Sequence, residues 1–315
     1  LFKEKYLYDV TTFVERRIKS LLVPYFWYNL FYLGVTVLIA KLTGKFWGMP
    51  LSLKNFFITP FLNGHQFDLS CPLWFVTQLF MTMIVFLFLF RALNAVTKNK
   101  YIHLAFFGIL GILAIPFSKW FAVTPLMLVV IRTMFSMLFV YLGYFYTHYI
   151  KDNYNIFTPK WLGAVVILQS VLWMFNRDYN PEHGIGLSYV LVWARFDEQL
   201  FVPVITSLTG IWASLFVVKI LYPYVKDIKF IEDMGKVTYH IMANHLLVMY
   251  IITAIFMCIH GIPASERASH DIYWIYNPAQ TTYLYFVITM IATTYIGVGL
   301  KKLHRMIFKP VEKSL

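Results

Sequence analysis

The chain has 315 residues, of which 59% are hydrophobic, 19% aromatic and only 13% charged, against roughly 25% charge in soluble domains; a water-soluble globular fold is excluded. The formal charge of +12 does not point to nucleic acid, because Lys and Arg stand one to three at a time between apolar runs rather than in a patch. Unbroken runs such as Leu73 to Phe90 lack the alternation of a membrane β-barrel strand and predict helices, which satisfy their own backbone hydrogen bonds in lipid.

Windows long enough to cross a hydrocarbon core of about 30 Å predict an all-α, polytopic bundle. Its spans run near Leu21 to Ala40, Leu73 to Phe90, Ile102 to Phe121, Leu126 to Tyr146, Trp161 to Phe175, Leu200 to Tyr222, Val237 to Ile259 and Thr281 to Leu300. The fifth is short. Next to it, Gly186 to Trp193 is apolar but too brief to cross and reads as a re-entrant or interfacial piece, set off by Arg195, Asp197 and Glu198. Eight spans put both ends on one side. The segments on that side carry eighteen Lys and Arg, the opposite loops seven, so the positive-inside rule places both ends in the cytoplasm. No repeat or linker interrupts the pattern, and one transmembrane domain over residues 1–315 is expected.

No removable signal peptide is visible at the start, and a chain that opens on Leu1 rather than Met is expected to lack an upstream segment. Cys71 and Cys258, both near the predicted outer face, read as two thiols, with a disulfide left open.

Four places carry polar chemistry. Arg16, Arg17 and Lys19 lie just inside the first span, where they serve either as a stop-transfer cluster on lipid headgroups or as a site for an anionic cytosolic cofactor. Pro72 suits the start of a helix and Trp74 sits at interface depth as an anchor; the preceding His65, Gln66 and Asp68 form a solvated loop or contact a polar outer substrate. Arg132, within the fourth span, either snorkels outward or lines a polar cavity. In the seventh span His245 lies roughly 14 Å beyond Lys236, near the bilayer midplane. Thr238 and His245 share one helix face, and His240 and Asn244 roughly the opposite one. A helix polar on two sides belongs inside the bundle, where His245 is either a functional group or a neutral hydrogen-bonding residue. The other histidines show no metal-site spacing, and no metal is expected.

Three segments together, RRIKSLLVPYFWYN, PLWFVTQLF and MGKVTYHIMANH, resemble the acyltransferase-3 family of integral membrane O-acyltransferases of surface glycans. The last looks like that family's late G-K-x-S/T-x-x-I-x-x-x-H pattern, with His245 at its end. The resemblance implies ten spans, of which this chain holds the last eight, acetyl-CoA as donor, and a glycan or glycolipid as acceptor in a bacterial plasma membrane. It implies acyl-CoA binding at Arg17, with Ser20 departing from the family's second arginine and Lys19 or Arg16 as substitutes. It also implies that the family's principal histidine lies upstream of this sequence and that His245 has a supporting catalytic role. On this reading Trp74, Arg132 and His65 face the acceptor. The competing readings are a transporter or flippase of lipid-linked sugars, or a glycan polymerase. A transporter would be expected to show paired broken helices in two halves, and the sequence shows none.

Overall fold

The computed structural model describes residues 4–62, 64–121, 123–175, 189–196 and 200–307. The helices are α1 (Val10–Arg17), α2 (Val23–Thr43), α3 (Leu53–Phe57), α4 (Thr59–Leu62), α5 (Trp74–Val96), α6 (Lys100–Trp120), α7 (Pro125–Phe145), α8 (Pro159–Phe175), α9 (Val202–Val225), α10 (Lys229–Lys236), α11 (Thr238–Ile259), α12 (Ala264–Ser269) and α13 (Pro278–Ile307). Among the described residues seven are long and apolar enough to cross a membrane, the first being the continuous run Val10–Thr43, and α8 is a shorter apolar helix. The chain is therefore an integral, all-α membrane protein. Seven of the eight expected spans recur as helices long enough to cross, the fifth being the shorter α8; the first starts earlier than expected because a π turn, Ile18–Leu22, joins α1 to α2 without a break.

The residues group into two compact units: Leu1–Val23, Phe61–Asn63 and Trp74–Pro223 form unit 1, and Pro24–Pro60, Gly64–Leu73 and Tyr224–Leu315 form unit 2.

In unit 1, α6 and α7 pack as an antiparallel pair. A Cβ at Gly111 would lie 2.6 Å from that of Leu138, so only glycine lets the two backbones approach this closely. Phe86, Phe90, Phe107 and Tyr141 fill the core between α5, α6 and α7, with ring centroids about 5 to 6 Å apart, each such pair contributing about 0.5–1.5 kcal/mol beyond its buried area. α9 is the least enclosed span, with 17% of its apolar window buried; Val217, Val218, Ile220 and Leu221 stay exposed, as suits a lipid-facing helix. Of the segment expected to be re-entrant, residues 186–188 lie outside the described residues, as do Asp197 and Glu198. The described part is a two-stranded antiparallel ribbon, β1 (Tyr189–Val190) with β2 (Arg195–Phe196). It turns at Ala194, left-handed with φ 49°, and lays Tyr189 and Phe196 against Phe135 of α7.

In unit 2, α11 packs along α13. A Cβ at Gly297 of α13 would come within 2.8 Å of Val237 and 2.9 Å of His240, which fixes glycine there. The inward face of α2 is polar although the helix is apolar overall: Tyr25, Tyr28, Asn29, Tyr32 and Thr36 are all buried. Their spacing of three and four residues puts them on one stripe. A stripe of hydroxyls and an amide is costly to turn toward lipid, and it is buried here.

Candidate functional site

Two residues of the stripe on α2, Tyr28 and Tyr32, find partners on α11. The Tyr28 hydroxyl lies 2.8 Å from His240 Nδ1 and accepts a hydrogen bond from Asn244 Nδ2, also at 2.8 Å. The same Asn244 amide donates to the His240 carbonyl at 2.7 Å. One turn along α2, Tyr32 donates to the Ala243 carbonyl at 2.6 Å. The face of α11 that the sequence assigns to His240 and Asn244 is thus the one built against α2. With its oxygen occupied by Asn244, the Tyr28 hydroxyl can give its proton to Nδ1. Alternatively it can accept a second bond from an Nδ1–H, which leaves His240 Nε2 unprotonated.

His245 has a defined tautomer. Its Nδ1 lies 2.9 Å from the Met242 carbonyl; a carbonyl only accepts, so Nδ1 carries a proton, and in the neutral imidazole Nε2 then presents a lone pair. A half-buried imidazole in this state can take up a proton. Upstream, the motif straddles a break at Val237 between α10 and α11, where Thr238 donates to the Gly235 carbonyl and Lys301 of α13 donates to that of Lys236.

A second constellation lies in unit 1. Trp74 is the first residue of α5, which starts directly after the short 3-10 turn Asp68–Leu73 that contains Pro72. The guanidinium of Arg132 on α7 sits 4.8 Å from the centre of the Trp74 ring and donates to the carbonyl of Val192 in the ribbon turn. Arg132 is 1% exposed, so it does not snorkel; it lines an interior polar patch. Beside it, Gln78 Nε2 donates to Thr133 Oγ1 at 2.8 Å and to Thr82 Oγ1 at 3.3 Å. Two residues that the sequence offers for a substrate, Trp74 and Arg132, are therefore in contact. Such a buried cation on an indole suits a polar or anionic group with an apolar face. The third, His65, belongs to unit 2, where its Nε2 lies 3.9 Å from Asp68 Oδ1.

The basic cluster of unit 1 does not converge. Lys19 pairs with Glu15 at 2.5 Å on the surface, and Arg16 donates to the Tyr6 hydroxyl at 3.1 Å. Arg17, half-buried, lies 5.0 Å over the Phe13 ring, and its Nε is enclosed without a hydrogen-bond partner among the described residues.

Two features escape the sequence reading. Tyr28 hides in an aromatic run that looks like an interfacial belt. Arg267, 2% exposed in the loop after α11, lies over Tyr250 at 4.7 Å, Trp47 at 5.4 Å and Trp274 at 5.8 Å. It donates to the Asp271 carbonyl at 2.7 Å and the Ile272 carbonyl at 3.2 Å. Burial pulls its pKa below the ordinary arginine value, against smaller opposing effects of Tyr250 and Asp271. The available signal was that Arg267 is the sole Lys or Arg between residues 260 and 280, an exception to the outer-loop depletion. Cys71 and Cys258 form no disulfide; Cys71 instead receives a hydrogen bond from Tyr273 at 3.1 Å. Burial, then this bond, pushes the Tyr273 hydroxyl's pKa up.

Fold and site together define a polytopic helical membrane protein with polar centres enclosed among its helices. No family model matches the chain, and neither a curated protein nor a solved structure matches it significantly.

Proposed function

We propose that this protein is a membrane acyltransferase that moves an acyl group, acetyl in the simplest case, from cytosolic acyl-CoA to a hydroxyl of a cell-surface or exported glycan. The observation that carries this reading is His245, an imidazole within an apolar span whose Nδ1–H is held by a backbone carbonyl and whose Nε2 is left as a proton acceptor. An ionisable side chain at that depth is costly to keep and marks function by default. In the reaction Nε2 of His245 has a supporting role, assisting removal of the proton of the glycan hydroxyl as its oxygen attacks the thioester carbonyl. The C–S bond then breaks, and the departing thiolate takes up the proton as free CoA. Arg17, half-buried with an Nε that has no hydrogen-bond partner among the described residues, serves a phosphate of acyl-CoA, and Trp74 with Arg132 serves the acceptor. The proposed setting is a bacterial plasma membrane, with both ends of the chain cytoplasmic.

The test is reconstitution of the protein in proteoliposomes with labelled acetyl-CoA and extracted glycan. Label on the carbohydrate supports acyl transfer, and His245→Ala should lower its rate by about 10²-fold or more. Sugar crossing the bilayer without label would replace this reading with that of a transporter.

A further inference from the structure

A groove of about 440 Å³ runs along unit 1 where α7, the ribbon and α9 meet. Phe135 and Phe139 of α7, with Tyr189 and Leu191 of the ribbon, form one wall. The other is a face of α9 made of Ser207, Gly210, Ile211, Ser214 and Leu215, of which the last four are exposed. Both helices belong to spans, so the groove opens to the hydrocarbon of the bilayer.

Three observations define what fits it. First, Gly210 is not a packing glycine: unlike Gly111 and Gly297, it has nothing within 4 Å of where a Cβ would stand. Glycine weakens a helix interior relative to alanine, and what it leaves here is an open floor. Second, the groove is slender. Its volume, spread over the roughly 12 Å from Ser207 to Leu215, gives a section roughly 6–7 Å across, against 10–12 Å for a helix with its side chains. A hydrocarbon chain fits that section and a transmembrane helix does not. Third, every hydroxyl proton in the groove is committed. Ser214 donates to the Gly210 carbonyl at 2.8 Å, and Ser207 donates to the Pro203 carbonyl at 2.6 Å. The Tyr189 hydroxyl lies 2.8 Å from Ser207 Oγ; the single Ser207 proton is already used, so Tyr189 donates and its own lone pairs stay open. None of the described residues lining the groove is charged. Its polar end therefore offers acceptors without a donor or a cation. That end, at Ser207, lies about 7.5 Å inside α9, and the apolar end, at Leu215, about 20 Å.

We infer that the groove binds an uncharged membrane lipid with a free hydroxyl, of the diacylglycerol kind. One chain lies over Gly210 and Ser214 against the aromatic wall, and the hydroxyl donates to Tyr189 or Ser207. A shallow polar end and a deep apolar end match the way such an amphiphile stands in a bilayer. The phosphate of a phospholipid would find neither a donor nor a cation among these side chains. This site is independent of acyl transfer.

The experiment places the protein in dioleoylphosphatidylcholine nanodiscs with a photoactivatable diacylglycerol that carries a diazirine in one chain, and maps the cross-links by mass spectrometry. Label should fall on α7 and α9, and dioleoylglycerol should compete for it. The 3-acetyl ester of dioleoylglycerol, with the same chains and no hydroxyl, should compete about three- to tenfold less well, the scale of one neutral hydrogen bond. Gly210→Leu fills the floor without a clash and should cut labelling about tenfold or more. Tyr189→Phe combined with Ser207→Ala should keep the labelling and lose the preference for the free hydroxyl, which a purely structural role of these residues would not change. Equal competition by the ester in the wild type reduces the groove to ordinary contact with bilayer chains and overturns the inference, as does labelling that Gly210→Leu leaves unchanged. A dimer that Gly210→Leu disrupts, with no label in the groove, assigns this face to a second copy of the chain instead.

Discussion

Arg132 in unit 1 and Arg267 in unit 2 are almost equally buried, at 1% and 2% exposure, and both lie over aromatic rings, yet they do different things. Arg267 is clasped by three rings and by the carbonyls of Asp271 and Ile272, four and five residues further along its own loop. Its hydrogen bonds stay within the loop, while Trp47 and Tyr250 supply rings from elsewhere in unit 2, so it staples the loop to the body of that unit. Arg132 lies inside a span and reaches a carbonyl sixty residues away, at Val192, bringing a separate ribbon to the Trp74 ring. Burial of a cation therefore does not mark function by itself; what matters is whether its hydrogen bonds end within its own segment, as those of Arg267 do, or reach a distant one, as that of Arg132 does. By that criterion Arg132 is the candidate for substrate chemistry and Arg267 a fold determinant.

The sharpest way to break this distinction is Arg267→Ala. It removes two charge-assisted hydrogen bonds and the filling of an aromatic cage, and should lower stability by about 3–5 kcal/mol, read as a large drop in the melting temperature in detergent. Arg267→Lys should recover little, because an ammonium cannot serve two carbonyls and three rings in a planar fork. A wild-type melting curve for Arg267→Ala would end the staple reading. Arg132→Ala should cost less, about 1–3 kcal/mol. Its signature should instead be local, a faster hydrogen exchange of the ribbon at residues 189–196. If melting falls as far as in Arg267→Ala with no local change at the ribbon, the two arginines are equivalent and the contrast fails. Smaller again is Tyr28→Phe, about 1–2 kcal/mol, since it deletes one hydroxyl that serves both Asn244 and His240. Combining it with Asn244→Ala should give less than the sum of the single effects, because both changes act on one network.

Much of the fold was legible because lipid leaves few choices: an apolar run of about twenty residues has to be a helix, and α5, α6, α7, α9, α11 and α13 lie close to where hydropathy put them. Unit membership was not legible, because α2 joins α10 to α13 across nearly two hundred intervening residues, and only side-chain pairing such as Tyr28 with His240 reveals it. Arg132 stood out as a charge within a span, whereas Arg267 looked like any loop arginine until its three rings were assembled around it. The ribbon at 189–196 escaped because eight residues carry too little periodicity to tell a strand from a helix fragment. His240 was read as polar but unassigned, since a one-helix projection gives faces and not the partner facing them.

The smallest expected effect tests the other half of the contrast, that charge without burial contributes little. On α10, Glu232 pairs with Lys236 and Lys229, and Lys229 pairs also with Asp233 at 3.0 Å, all on the surface. The hydrogen bond from Lys236, then the nearby Lys229 charge, holds the Glu232 carboxyl below its ordinary value. Any stability it adds is thus present above its unfolded-state pKa and fades as pH falls through the folded-state value. Lys229 runs the other way: the Asp233 hydrogen bond and charge raise its pKa, so its contribution is present below the unfolded-state value and fades as pH rises through the folded one. Both groups are fully exposed, and water and salt screen them. Glu232→Gln should therefore melt as wild type at about 0.15 M salt and show at most a slight loss at low ionic strength. A clear loss at 0.15 M would mean that these charges hold α10 against something less polar than water, and burial would no longer separate the ionic contacts that matter from those that do not.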